Sequence, residues 1–112
     1  MHKPLALLSM LAILAPFGAR AAAAAVLPRP ARLGLCAACH GEDGHARIPG
    51  APNLAGQPYA YLLQALHAYR TGQRKVAVMR AAAGPLTEKD MQALARWYAA
   101  QSPCKPPQAG SP

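Results

Sequence analysis

Five consecutive residues, Cys36-Ala37-Ala38-Cys39-His40, carry the most specific chemistry in the chain. Two thiols three positions apart on a helical turn lie on one side of the backbone, where they can add to the two vinyl groups on one edge of a haem. The histidine that follows then projects over the ring face and can coordinate the iron. Other uses of the same residues fit less well. A structural zinc site needs four ligands in tetrahedral array; beyond Cys36 and Cys39 the nearby candidates are His40 and His45, with no second cysteine pair. A thioredoxin-like redox pair wants a preceding strand in a βαβ setting, and no strand pattern precedes this motif. A plain disulfide would leave His40 without a role. The motif therefore predicts one covalent haem c on Cys36 and Cys39 with His40 as an iron ligand.

The opposite face of the iron decides between electron transfer and ligand chemistry. Methionine is the first candidate, because His/Met ligation is an established haem arrangement. Met1 and Met10 fall in the N-terminal segment, leaving Met79 and Met91. Met91 lies on the apolar stripe of a helix and is expected to pack in the core. Met79 lies in a stretch without periodicity, which leaves it free to approach the ring, and it is the expected second ligand. His45 is too near His40 in sequence to reach the other face, and His67 falls off the stripe of its helix and is expected to be exposed.

The elements that must position these residues are helical. Residues 26–30 contain two prolines and read as an extended lead-in, since proline cannot sit inside a helix. A short helix is expected over residues 31–39. Residues 41–57, rich in Gly and Pro, read as a long loop, and loops of that length in small domains are usually functional. Tyr59, Leu62, Leu63, Leu66 and Tyr69 recur at helical spacing before Thr71-Gly72, which predicts a helix over residues 58–71. Residues 76–85 are expected to be irregular, with room for a helical turn after Met79. Thr87 offers an N-cap with Glu88 and Asp90 in the following turn, and Met91, Leu94, Ala95 and Tyr98 form the stripe of a last helix ending near Gln101. No strand alternation or internal repeat is present.

Composition narrows the setting. The chain has 112 residues, room for one domain, and although its apolar fraction is 53% it holds one Phe, one Trp and four Tyr. So few aromatics make a modest protein-only core, which a haem would complete. The first 27 residues read as an export signal: His2 and Lys3 open it, an apolar run follows from Leu5 to Phe17, and Ala19-Arg20-Ala21 supplies small residues for cleavage. The division expected is a cleavable signal over 1–25, a haem domain over 26–102 and a Pro-rich tail over 103–112. An uncleaved anchor is disfavoured because Arg20 and Pro16 interrupt the apolar run short of the roughly 20 residues a membrane span requires. Export implies an oxidising periplasmic location. Of three cysteines, Cys104 is then left over in the tail as a surface thiol or an intermolecular partner. The net charge is +8, falling to +6 once Lys3 and Arg20 leave with the signal. In an exported protein this favours acidic protein partners or transient contact with membrane oxidoreductases over nucleic acid.

Longer stretches strengthen the haem reading. Cys36-Ala37-Ala38-Cys39-His40-Gly41, Pro52-Asn53-Leu54-Ala55-Gly56-Gln57, Tyr61-Leu62 with Arg70-Thr71-Gly72, Met79, Leu86-Thr87-Glu88-Lys89-Asp90-Met91 and Leu94-Ala95-Arg96-Trp97-Tyr98-Ala99 together resemble class I c-type cytochromes. The likeness is to the small bacterial periplasmic branch that also supplies the halves of di-haem cytochromes. The resemblance implies an all-α cytochrome c fold, three to four helices and long loops around one haem, with His40 and Met79 as axial ligands. It also implies that the Pro52 carbonyl accepts the free ring N–H of His40 and that Leu54 packs on the porphyrin. Where the family places a glycine and an aromatic on its first helix, this chain has Pro28 and Arg32, so that helix should be shorter and its crossing with the last helix looser.

The function expected is single-electron shuttling in the periplasm, by an electron carrier rather than an enzyme. Two alternatives remain at this level: a haem subunit of a periplasmic dehydrogenase complex, and a haem enzyme or sensor with an open iron position. Basic residues Arg47, Arg74, Lys75 and Arg80 are expected around the haem edge.

Overall fold

Each helix of this chain begins or ends where local chemistry requires it. A computed structural model describes residues 26–105; the expected signal over 1–25 and the end of the tail, 106–112, lie outside the described residues. Helix α1 (Leu33–His40) starts two residues later than the sequence suggests. Ala31 and Arg32 form a turn in which the Leu33 N–H donates to the Pro30 carbonyl at 3.1 Å, and Arg32 supplies no side-chain cap. Pro28 and Arg32 are both exposed, so Leu33, fully buried, is the residue that anchors this short helix.

Helix α2 (Tyr59–Thr71) follows Pro58 and closes on Gly72, whose φ of 80° lets its N–H reach back to the Tyr69 carbonyl. That left-handed geometry is cheap only for glycine. Residues 76–85 depart from expectation. Ala77–Ala83 forms helix α3, with Met79 on it rather than in a loop. Seven residues are too few to show a readable period, but this segment is rich in alanine, the best helix former, and α3 packs against α2.

Helix α4 (Glu88–Ala99) opens with a full capping box. The Thr87 hydroxyl accepts the Asp90 N–H at 3.1 Å while the Asp90 carboxylate accepts the Thr87 N–H at 3.0 Å. Its stripe of Met91, Leu94, Ala95 and Tyr98 is buried as the spacing predicts, and it meets Leu33, Leu62, Ala83 and Leu86 in one core. Among the described residues there are four helices and no strands, and no helix is long and apolar enough to cross a membrane.

One expectation fails on the surface of α2. His67 is half-buried rather than exposed: its Nε2 lies 3.2 Å from Glu88 Oε2, and the Arg70 guanidinium donates to its Nδ1 at 3.2 Å. Arg70 also donates to the Leu86 carbonyl at 3.2 Å. These bonds tie the end of α2 to the start of α4, a partnership that position on a helical wheel does not reveal.

Replacing the cap tests how far α4 depends on its first turn. Thr87→Ala is expected to lower unfolding stability by about 1 kcal/mol in denaturant titrations. The bonds from the Thr87 side chain and backbone hold the Asp90 carboxyl below its usual range. Its contribution is therefore present above the unfolded carboxyl's pKa and lost as pH falls through the lowered one, so the wild-type advantage should narrow on acidification.

Candidate functional site

Three reactive side chains share the last turns of α1. Cys36, Cys39 and His40 open onto one cavity of about 470 Å³, within the usual size of small-molecule sites. His40 is 6% exposed, and its ring is held from behind: Nδ1 donates to the Pro52 carbonyl at 2.9 Å. A carbonyl oxygen can only accept, so the proton sits on Nδ1 and Nε2 keeps its lone pair. Such a bond also orients the ring and raises its basicity as a ligand. Pro52 itself is exposed; its contribution is its backbone oxygen.

Leu54 and the α2 side chains Leu62, Leu66 and Tyr69 form apolar wall, and Met79 enters the lining from α3. Met91 is fully buried in the core and does not line the cavity. Neither His45 nor His67 lines it. His45 instead faces the tail, its Nε2 3.3 Å from the Pro103 carbonyl. Its buried Nδ1 has no hydrogen-bond partner and lies 3.6 Å from Asp43 Oδ2. Burial, with the nearby Cys39 thiol second, pushes the Cys36 thiol up to about 11, which keeps it as S–H at neutral pH.

The loop over residues 41–57 is well bonded despite its composition. The Gly44 carbonyl accepts the N–H groups of Leu54 at 2.7 Å and Ala55 at 3.2 Å, and the Arg47 N–H closes on the Cys39 carbonyl at 2.8 Å. Gly44 has φ 79°, and a Cβ there would overlap the Ala55 backbone, so both its conformation and the close approach exclude other residues. Asn53 Oδ1 accepts the Ala46 N–H at 2.8 Å, which folds the loop so that its next residue toward the N-terminus, Pro52, presents its oxygen to His40.

Two residues that sequence reading did not single out for the site hold this loop from α4. The Tyr98 hydroxyl donates to the Gly41 carbonyl at 3.0 Å, and Trp97 Nε1 donates to the Glu42 carbonyl at 2.8 Å. The available signal was general: a tyrosine on a buried stripe needs a partner for its hydroxyl. Which carbonyl it would find depends on the tertiary fold. Of the four basic residues expected near the haem edge, Arg74 alone lines the cavity. Lys75 and Arg80 flank an adjoining shallow hollow between α2 and α3, and Arg47 is exposed on the loop. At the cavity's margin Ile48, Tyr61, Val76 and Val78 line it while remaining largely exposed.

A covalently attached haem fits these residues. Two thiols sit at the wall, one buried imidazole offers a free nitrogen, a thioether lines the same space, and the rest of the lining is largely apolar.

Residues 31–100 match the sequence model of the family described as Cytochrome c. The chain is 42% identical over 73 residues to cytochrome c-554(548) of Halomonas halodenitrificans, an alignment covering 62% of this chain and 88% of that protein. It is 36% identical over 95 residues to cytochrome c4 of Pseudomonas aeruginosa, covering 85% of this chain and 47% of the relative. It is also 38% identical over 88 residues to the thiosulfate dehydrogenase electron acceptor of Thiomonas intermedia, covering 78% and 41% respectively. The chain thus spans most of the Halomonas protein and less than half of the other two.

Tyr98→Phe isolates the contribution of α4 to the loop. It removes one of the two donors to the buried Gly41 carbonyl, which keeps the Gly44 N–H at 3.3 Å, and should cost about 0.5–1.5 kcal/mol of unfolding stability while covalent pigment is retained. Unchanged stability would mean that the Trp97 bond and the loop's own bonds hold its shape without the Tyr98 hydroxyl.

Proposed function

Because the chain belongs to the cytochrome c family, we propose that it works in the periplasm as a soluble shuttle, passing single electrons between partner proteins. The family binds haem c covalently, and Cys36 and Cys39 with His40 form its attachment motif. We assign His40 and Met79 as the axial ligands, with Pro52 and Leu54 completing the pocket. The observation that carries this reading is the His40–Pro52 bond of 2.9 Å, which leaves Nε2 free on the cavity that Met79 and both cysteines also line.

When bound, the haem supplies a one-electron iron couple; the polypeptide supplies everything else. As iron ligands, His40 and Met79 would limit rearrangement between oxidation states and keep small molecules off the metal. A methionine sulfur also raises the potential relative to harder ligands. Cys36 and Cys39 hold the group permanently. Leu54, Leu62 and Leu66 exclude water from the pocket.

Export rests on the N-terminal pattern, in which a cleavable signal over 1–25 precedes the haem domain over 26–102 and the tail over 103–112. Acidic redox partners are favoured by charge. Each of the chain's four carboxylates is engaged internally: Glu42 with Arg29 at 2.9 Å, Asp43 with the His45 N–H at 3.1 Å, Glu88 with Gln92 at 3.1 Å and Asp90 with Thr87 at 2.7 Å. The surplus cations therefore face outward and can steer encounter. The exposed apolar margin of Ile48, Val76 and Val78 offers a brief docking contact near the pocket.

A second reading is service as the haem subunit of a periplasmic dehydrogenase, favoured by the likeness to the Thiomonas electron acceptor. An enzyme or sensor with an open iron position is disfavoured, since Met79 lines the pocket.

Met79→Ala is expected to abolish the far-red sulfur-to-iron band of the oxidised protein and to make the reduced protein bind carbon monoxide at neutral pH, which the wild type should not. A variant that keeps the band would remove Met79 from the ligand set.

A further inference from the structure

The loop over residues 41–57 is gripped by the start of the C-terminal tail as well as by α4. After α4 the chain turns back, and the Pro103 ring seats on Gly56, where a Cβ would lie 3.0 Å from Pro103 Cδ and 3.2 Å from its Cβ and Cγ. The Gly56 N–H donates to the Tyr98 carbonyl at 3.0 Å. The Pro103 carbonyl lies 3.3 Å from His45 Nε2. The other ring nitrogen of His45 is buried without a hydrogen-bond partner, 3.6 Å from Asp43 Oδ2, and the side chain as a whole is 14% exposed.

His45 thus stands between two oxygens that can only accept. A neutral imidazole has one proton to give, and an imidazolium has two. The His45 backbone N–H, above all, holds the Asp43 carboxyl below its usual range, so Asp43 is charged wherever an imidazole titrates. A carboxylate is a stronger acceptor than a peptide carbonyl, and a buried ring nitrogen left unpaired is costly. The single proton of the neutral ring therefore belongs on Nδ1, facing Asp43, which turns the Nε2 lone pair against the Pro103 oxygen. Only the charged ring serves both partners.

The remaining ionisable groups of the elements that pack here do not compete. Glu42 is paired with Arg29, the Tyr98 hydroxyl is committed to Gly41, and Cys36, Cys39 and His40 of α1 face the cavity. Arg47, Cys104 and Lys105 are exposed. We propose that His45 is a pH-operated clasp, which pins the start of the tail to the loop when its ring is charged and releases it when the ring is neutral. The hold is present on the acid side of the imidazole titration and lost as pH rises through it, a range that for histidine falls between about pH 5 and 8. The clasp acts on the outer side of the loop whose Pro52 carbonyl holds His40, so acid conditions add a brace to that loop.

The test is the backbone order of Cys104 and Lys105, read by nitrogen-15 relaxation on the reduced holo-protein across this pH range, with the visible spectrum confirming an intact haem site. In the wild type the amide order parameters should fall from about 0.85 at the acid end to below about 0.6 at the alkaline end. His45→Gln, whose side chain can donate but does not titrate, should give a profile flat with pH. Asp43→Asn should keep the tail ordered at the alkaline end, because the amide can donate to Nδ1 and free the ring proton for Pro103. His67→Gln, which removes a titrating imidazole from α2, should follow the wild type. A wild-type tail whose order does not change with pH would overturn the proposal, as would a wild-type profile in either His45→Gln or Asp43→Asn. Loss of the pH response in His67→Gln would also overturn it, by giving the switch to another histidine. If His45→Gln fails to fold, Asp43→Asn still decides.

Discussion

The arrangement depends on one hydrogen bond, from the Nδ1–H of His40 to the carbonyl oxygen of Pro52. An unheld imidazole could present either nitrogen in either tautomer; this one is left with a lone pair on Nε2 and a fixed ring plane. Pro52 can act in this way only if the loop over residues 41–57 is rigid. Its rigidity comes from Gly44, whose carbonyl gathers two N–H groups, from the Asn53 side chain, and from two donors sent across by Trp97 and Tyr98. The last helix thus has two roles in one stripe: Met91, Leu94 and Ala95 fill the core, while the aromatic pair at its end braces the loop that aims the histidine.

A second constraint is size. Among the described residues the buried core contains a single aromatic residue, Tyr98, and small domains bury a smaller fraction of their surface than large ones do. The α2 side chains Leu62 and Leu66 belong to or pack against the core and also line the cavity. Filling the cavity with haem therefore extends the core rather than adding a separate site to it, and binding a group that the unfolded chain holds less well stabilises the fold. The covalent link through Cys36 and Cys39 makes that support permanent.

Much of this was legible before any coordinates. The Cys36-to-His40 spacing predicts its own chemistry, and the stripes of α2 and α4 fall where periodicity places them. The capping residue Thr87 also begins its helix as expected. What was not legible is non-local. Helix α3 is too short to display a period, so Met79 reads as a loop residue although it sits on a helix. His67 reads as exposed because its partners, Arg70 and Glu88, come together only when α2 meets α4. The hydroxyl of Tyr98 and the indole N–H of Trp97 find carbonyls more than fifty residues away in sequence. The basic residues near the haem are likewise separated by tertiary geometry: Arg74 reaches the cavity wall and Arg47 does not.

The most direct measurement is the intact mass of the protein isolated from a host able to attach haem. A porphyrin joined by two thioethers should appear as one haem added to the polypeptide, resistant to acidic solvent extraction. Polypeptide mass alone, or a pigment that extraction removes, would contradict the covalent assignment on which the electron-transfer account is built.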